Sequence, residues 1–507
     1  MHRRTHRRTH RRTYALAAAT VAASTATTAA LALTFATTAA AAPRTEPAPT
    51  PTAVTSDFNG DGYADLAVGM PDATVNGKAK AGYVNLVWGG RKGLGAHGSI
   101  RVSQATAEVP GSPETGDRFG ASVLLQDLSG DGRAELIIGA PGEDIDGRGT
   151  DAGAVTVVGG AKSGTGPGST AMTGPSAKSA YGLSVAATDL TGDHQRDLVV
   201  GGRDTVAVRA VVDNGEDVVL TTVLTTPMGG RAPVLATGDF TADGVDDLAL
   251  AYHTVDAPST QSHVRLWSWD ESERRMANIW NSDNGAASAL AVGDFDGDGL
   301  DDLALGECRE IADENIDDPC GPESYAKGGG IHLLYGDKKS FGLRSQTLNQ
   351  DTVGVYGVAE PGDRFGASLA VLDWNRDGRD DLVAGAPGEA IGTRKAAGAA
   401  TLLLGHEGGI VDRFGEATSV PYHQDRPRVP GVAEKNDAFG TAVATGDYDK
   451  DGVPDMAVGA PGENAGSGGV WVFPRASVTH SRALTPKNLG LPSPASALSY
   501  GRYLSSH

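Results

Sequence analysis

The chain has 507 residues, 70 of them glycine, with only 6% aromatic residues and 63 acidic against 43 basic side chains. That composition suits short strands joined by tight turns and speaks against long helices. A formal net charge of −20 excludes nucleic acid and anionic membrane surfaces as main partners.

The first expected element is a leader. Met1 to Tyr14 carries six arginines in pairs, and an apolar Ala/Thr/Leu run from Ala15 ends in Ala39-Ala40-Ala41-Ala42. A positive start, an apolar middle and small residues at a cleavage point read as a signal peptide over 1–42, by the general or the twin-arginine route. Pro, Thr and Ala then form a disordered tether over 43–53. No later stretch is apolar enough to span a bilayer.

From residue 54 onward the chain repeats itself. The segment from Asp57 to Leu66, DFNGDGYADL, recurs in variants beginning at Asp127, Asp189, Asp239, Asp294, Asp373 and Asp447, at intervals of 50–79 residues. Each copy sits between a β-like stretch such as Ala121–Leu125 and a second apolar strand such as Leu136–Gly139. A polar loop and a third strand follow, for example Gly153–Val158, Gly330–Tyr335 or Gly469–Phe473, and then a weaker fourth. Four strands per unit is one propeller blade, so the expected fold is an all-β, seven-bladed β-propeller over 54–507. The first unit lacks most of its opening strand, whereas the tail offers an extra one near Ala497–Leu504, led by Tyr500-Gly501. That tail is expected to complete blade one and close the ring.

The acidic turns have the form Asp-x-(Asp/Asn/Ser/Thr)-x-Asp-(Gly)-x-x-(Asp/Glu). Oxygens at positions one, three, five and nine, with the carbonyl at seven, suit a hard cation; calcium takes six to eight oxygens at about 2.3–2.6 Å. The candidate ligands are Asp57, Asn59, Asp61 and Asp65; Asp127, Ser129, Asp131 and Glu135; Asp189, Thr191, Asp193 and Asp197; and Asp239, Thr241, Asp243 and Asp247. They continue with Asp294, Asp296, Asp298 and Asp302; Asp373, Asn375, Asp377 and Asp381; and Asp447, Asp449, Asp451 and Asp455. The loops at Asp294 and Asp447, with four carboxylates, are expected to bind best. The loop at Asp189 is the doubtful one, because His194 stands where the turn asks for glycine. Up to seven structural Ca²⁺ ions are expected. Flanking strands and the absence of a Glu at position twelve exclude an EF-hand. Cys308 and Cys320, the two cysteines, lie in one loop and are expected to form a local disulfide in an oxidising compartment.

Phe119-Gly120 with Gly139-Ala140-Pro141, Phe365-Gly366 with Gly385-Ala386-Pro387, and Phe439-Gly440 with Gly459-Ala460-Pro461 resemble the FG-GAP repeats of integrin α-subunit propellers and related secreted bacterial proteins. Weaker copies are Tyr181-Gly182 with Gly201-Gly202, and Gly69-Met70-Pro71; units four and five keep the acidic loop and lack both halves. The resemblance implies calcium on one face and ligand binding on the other. That second face would include Pro141 to Asp151, Cys308 to Lys327, Pro387 to Ala397 and Pro461 to Gly468, with Gly116-Asp117-Arg118 and Gly362-Asp363-Arg364.

Three functions remain open at this point: an extracellular adhesion or recognition module for protein or glycan, a secreted enzyme degrading polysaccharide or ester, and a structural cell-wall protein. The chain contains neither a Gly-x-Ser-x-Gly elbow nor a His-Glu-x-x-His motif. His332 reads as strand packing, His406 and His423 as exposed loop residues, and Trp267, Trp269, Trp374 and Trp471 as packing rather than a sugar platform. The first function is favoured, for a monomeric secreted protein, and a charged cluster in the central channel would favour the second.

Overall fold

A computed structural model describes residues 56–212, 217–256, 259–282, 287–306, 328–338, 340–492 and 498–505. The expected leader and tether, and the Cys308–Cys320 disulfide, lie outside the described residues.

Seven four-stranded antiparallel sheets follow one another along the chain, all but the first in plain meander order. Blade two is β4 (Ser122–Gln126), β5 (Glu135–Ala140), β6 (Ala154–Val158) and β7 (Gly168–Thr173). Blade three is β8 (Ser184–Thr188), β9 (Asp197–Gly201), β10 (Thr205–Val212) and β11 (Asp217–Thr225). Blade four is β12 (Val234–Gly238), β13 (Asp247–Asp256), β14 (Ser259–Asp270) and β15 (Arg275–Ser282). Blade five is β16 (Ala289–Gly293), β17 (Asp302–Gly306), β18 (Ile331–Leu334) and β19 (Ser345–Leu348). Blade six is β20 (Leu369–Leu372), β21 (Asp381–Ala386), β22 (Ala399–Leu403) and β23 (Ser419–Tyr422). Blade seven is β24 (Ala442–Gly446), β25 (Asp455–Ala460), β26 (Gly469–Phe473) and β27 (Arg482–Leu484).

Blade one joins the two ends of the chain. Its order is β28 (Tyr503–Leu504), β1 (Leu66–Met70), β2 (Tyr83–Val87) and β3 (Ser99–Val102). The closing strand is only two residues long, pairing Val68 with Leu504 and Gly69 with Tyr503. Innermost strands touch around the ring, β24 meeting β28 and β28 meeting β4. Of the tail stretches, Arg482–Leu484 serves blade seven and only Tyr503–Leu504 serves blade one.

The second strands are buried on both faces: β1, β9, β17, β21 and β25 have no exposed residue. This is why they read as continuous apolar runs, since each sheet packs between two neighbouring sheets. The Phe-Gly and Gly-Ala-Pro halves explain each other physically. A Cβ built on Gly139 would stand 2.1 Å from the Gly182 carbonyl oxygen, and one on Gly385 would stand 2.0 Å from that of Gly440. The glycine of one blade admits the backbone of the next, while Phe119, Phe365 and Phe439 are fully buried beside it. Blade four departs from this scheme: β13 and β14 run on as a long hairpin where blades two, six and seven carry a loop.

Candidate functional site

All seven acidic turns precede a second strand, and six of them follow a first strand directly, so they share one end of the ring. Each turn is wound by its own carboxylates. Asp57 Oδ1 accepts the N–H groups of Gly60 at 2.7 Å and Asp61 at 3.1 Å, and its Oδ2 accepts that of Gly62 at 2.6 Å. Asp294 and Gly297, Asp298 and Gly299 repeat the pattern. Position three caps position five, as where Asp61 N–H donates to Asn59 Oδ1 at 2.9 Å. Such turns curl the side-chain oxygens around one centre.

Position nine, a candidate ligand, also braces the blade. Asp65, Asp197, Asp247, Asp302, Asp381 and Asp455 are fully buried. In most loops the carboxylate straps position two to the end of the third strand. Asp302 accepts from Phe295 N–H at 2.9 Å and Gly336 N–H at 2.8 Å, and Asp381 accepts from Trp374 N–H and Gly405 N–H. Burial, with Asp294 and Asp298 alongside, pushes the Asp302 carboxyl up to about 8. The same cause raises Asp65, Asp197 and Asp455 to about 7, and Asp247 and Asp381 to about 6.

The turns are not equal. Asp294, Asp296 and Asp302 bring carboxylate oxygens within 4.8 Å of one another, as do Asp447, Asp449 and Asp451. Among the described residues no other three acidic or imidazole groups gather so closely. These are the two loops with four carboxylates. In blade four, position three is Thr241, whose Oγ1 is buried without a partner. Ser268 and Thr241 lie near Asp247, yet neither Asp247 oxygen accepts a well-formed hydrogen bond, and Asp455 Oδ2 is likewise orphaned. Buried, unpartnered carboxylate oxygens beside further carboxylates fit a hard cation. In blade three His194 takes φ +67° and its N–H still reaches Asp189 Oδ2 at 2.7 Å, so the turn forms without glycine. There Thr191 donates its hydroxyl to the Val211 carbonyl at 3.1 Å. Basic side chains also approach the loops: Arg344 pairs with Asp296, and Arg475 with Asp451.

The opposite end carries a device that the motifs of the repeat do not announce. Gln104, Gln350 and Gln424 follow the last strands of blades one, five and six. Each donates Nε2 to a glutamate of the next blade, Glu143, Glu389 or Glu463, at 2.5–2.6 Å. Each glutamate follows Gly-Ala-Pro-Gly, and each glutamine precedes it by 39 residues. Beside each pair lies a buried aspartate, Asp117, Asp363 or Asp437, that accepts a backbone N–H from Glu114, Glu360 or Glu434. Asp117 and Asp363 are therefore struts inside the linkers, not ligand contacts on the surface. Equal spacing in three copies is the one signal of these pairs that the sequence carries.

Other expectations are also corrected. His406 and His423 are half-buried rather than exposed; His423 stacks on Tyr356, and burial lowers its pKa. His332 lies in β18 and burial lowers it too. Trp471 is buried, donating to the Pro430 carbonyl, and Trp267 and Trp269 belong to β14. An axial cavity of about 280 Å³ is lined by residues of β4, β8, β12, β24 and β28 and by Ala121, Leu183, Pro233 and Arg502; Arg502 is the one charged residue in that lining.

Four stretches, residues 51–85, 119–158, 365–403 and 439–473, match the FG-GAP repeat, falling on blades one, two, six and seven. Integrin alpha pat-2 of Caenorhabditis briggsae is 31% identical over 239 residues, 44% of this chain and 17% of its own length. Phosphatidylinositol-glycan-specific phospholipase D of Bos taurus is 36% identical over 153 residues, 29% of this chain and 18% of the relative. Integrin alpha-3 of Cricetulus griseus is 32% identical over 146 residues, 29% of this chain and 12% of the relative. The chain thus matches less than a fifth of the length of each.

Proposed function

For a chain that carries FG-GAP repeats on a closed seven-bladed β-propeller, we propose the role of a secreted, calcium-stabilised binding module. It takes an extracellular protein or glycan on the end of the ring opposite the acidic loops.

One observation carries this reading: the two ends of the ring are built for different work. Oxygen-rich turns crowd one end, and calcium bound there would relieve the repulsion between their carboxylates. At the other end the loops after β5, β21 and β25 are tied down by buried or half-buried Gln–Glu pairs, while outer residues of the first of them, such as Asp146, Arg148 and Thr150, stay exposed. Val358 and Val432 stand at equivalent positions of two linkers on that end, 64% and 58% exposed. A rigid platform with exposed apolar and charged side chains suits recognition, because little ordering entropy is lost on binding. The enzyme alternative calls for a charged cluster in the axial channel; where blades one to four and seven line the cavity there, Arg502 is the charged residue. Similarity to integrin alpha chains supports an extracellular setting, and among the described residues no helix is long and apolar enough to cross a membrane.

The test is an array of glycans and matrix proteins, probed with the purified chain in calcium and in chelator. Calcium-dependent capture of one ligand class is the expected result. A silent array under both conditions would remove the reading.

A further inference from the structure

The acidic loops touch one another, and they do so unevenly. In blade five, position eight is Asp301, whose Oδ2 accepts the N–H of Asp239 at 2.7 Å. Asp239 is position one of the blade-four loop. In blade six, position eight is Asp380, whose Oδ2 accepts the N–H of Asp294 at 2.9 Å; the Asp380 N–H returns a bond to the Asp294 carbonyl at 2.9 Å. In blade four, position eight is Asp246, which accepts from the hydroxyl of Thr188, the residue just before Asp189. Carboxylates thus run as links from loop three through loops four and five to loop six.

The approach is prepared from both sides. Gly238 and Gly293 precede the two position-one aspartates, and a Cβ on them would stand 2.6 Å from Asp301 Oδ2 and 2.8 Å from Asp380 Oδ2. The row also has ends. Position eight is Ala64, Ala134 and Pro454 in blades one, two and seven, and Arg196 in blade three. None of these side chains is an acceptor for a neighbour's N–H. At position eight, blades one and two retain backbone links alone, Ala64 N–H to the Asp447 carbonyl and Ala134 N–H to that of Asp57. Side chains still cross outside the row, Arg376 of loop six donating to the Gly452 carbonyl and Lys450 of loop seven lying over the Tyr63 ring, but neither is the chain neighbour of a position-nine carboxylate.

We propose that Asp246, Asp301 and Asp380 are positioning residues that couple neighbouring acidic loops, so that loops three to six take up calcium cooperatively. The proposal rests on the calcium reading given above. Each linking carboxylate is the chain neighbour of a position-nine ligand, Asp247, Asp302 or Asp381. An ion in loop five fixes Asp302, hence Asp301, hence the backbone of Asp239 in loop four. The ion entering loop four then meets a turn already ordered, and the effect is reciprocal. Repulsion between ions in adjacent blades opposes this, but it is screened beyond about 8 Å at physiological salt.

The experiment is a calcium chloride titration of the full chain, read by hydrogen–deuterium exchange in peptides covering each loop. In the wild type, loops three to six should become protected together, more steeply than one-site binding, while loops one, two and seven follow separate curves. Asp301→Ala should move the loop-four midpoint to about 5- to 20-fold higher calcium and leave loops one, two and seven in place. Asp301→Asn, which keeps an acceptor oxygen, should retain most of the coupling. One-site curves for loops three to six in the wild type would overturn the coupling alone, whatever the variants do, and so would an unmoved loop-four midpoint in Asp301→Ala. A chain whose loops ignore calcium altogether would overturn the calcium reading and the coupling with it.

Discussion

Tyr500 donates its phenolic hydrogen to Asn85 Oδ1 at 2.9 Å, across 415 residues of chain. Both residues are fully buried, and Asn85 in turn donates Nδ2 to the Ile100 carbonyl at 3.0 Å. The bond fixes the tail to blade one just before β28, and Ser505 finishes the join by donating its N–H to the Ala67 carbonyl. Tyr500→Phe leaves a buried amide oxygen without a donor while keeping the ring's shape. The expected cost is about 1–2 kcal/mol in denaturant unfolding. An unchanged midpoint would mean that this bond does not hold the tail.

Calcium removal should loosen the end of the ring that carries the acidic turns. The expected outcome is a thermal midpoint lowered by about 5 °C or more in chelator, given how many carboxylates face one another there. Replacing Asp302 and Asp455 by Asn together should shrink that difference between calcium and chelator, because each of the two loops that gather three carboxylates loses its buried position-nine carboxylate. Calorimetry in the two buffers reads it directly. Equal midpoints with and without calcium in the wild type would contradict a structural role for the ion.

Much of this architecture is readable from residues alone, for identifiable reasons. An Asp-Gly turn at fixed spacing survives in the sequence because its geometry is local, so all seven turns can be placed by inspection of the chain. Tyr500-Gly501 reveals the closing strand because it copies Phe119-Gly120. Contacts that pair unlike residues across blade boundaries are the ones that stay hidden. A lone Gln104 carries no signature, and its partner Glu143 lies in the next blade; only three copies at equal spacing give the pair away. Asp301 is hidden differently, since beside Asp302 it reads as one more acid of the same loop. Half-burial of His423 is illegible because Tyr356, which covers it, belongs to another blade's linker.

His194 holds a left-handed backbone conformation at φ +67°, which costs a side chain with a Cβ on the order of 1 kcal/mol. Its ring lies 3.7 Å from Asp189 Oδ2 and is highly exposed, so the imidazole returns little of that cost. Gly at this position relieves the strain, partly offset by extra freedom in the unfolded chain. His194→Gly should therefore tighten calcium binding in loop three about 2- to 5-fold, since less strain opposes the ordered turn. Titration calorimetry of the two proteins compares them. An affinity identical to wild type would show that the positive φ is not what limits this loop.

The Gln–Glu pairs at the opposite end predict a pH response of definite sign. Burial, with Asp117, Glu114 and Asp144 nearby, raises the Glu143 carboxyl to about 7 despite its bond from Gln104. Burial with Asp363 and Glu360 does the same to Glu389, and burial with Asp437 and Glu434 raises Glu463. A carboxyl whose folded pKa exceeds its unfolded value of about 4.3 binds its proton more tightly when folded. Its contribution is therefore favourable below the unfolded value and is lost as pH climbs through about 7. With calcium held in excess, stability should fall between pH 5 and pH 7.5, by about 1–3 °C in thermal midpoint for each pair. Gln in place of Glu143 and Glu389 mimics the protonated form, so the double variant should melt higher than wild type at pH 7.5 and flatten the profile. A wild-type profile that rises over this range would show that the pairs stay charged and are held by their neighbours instead.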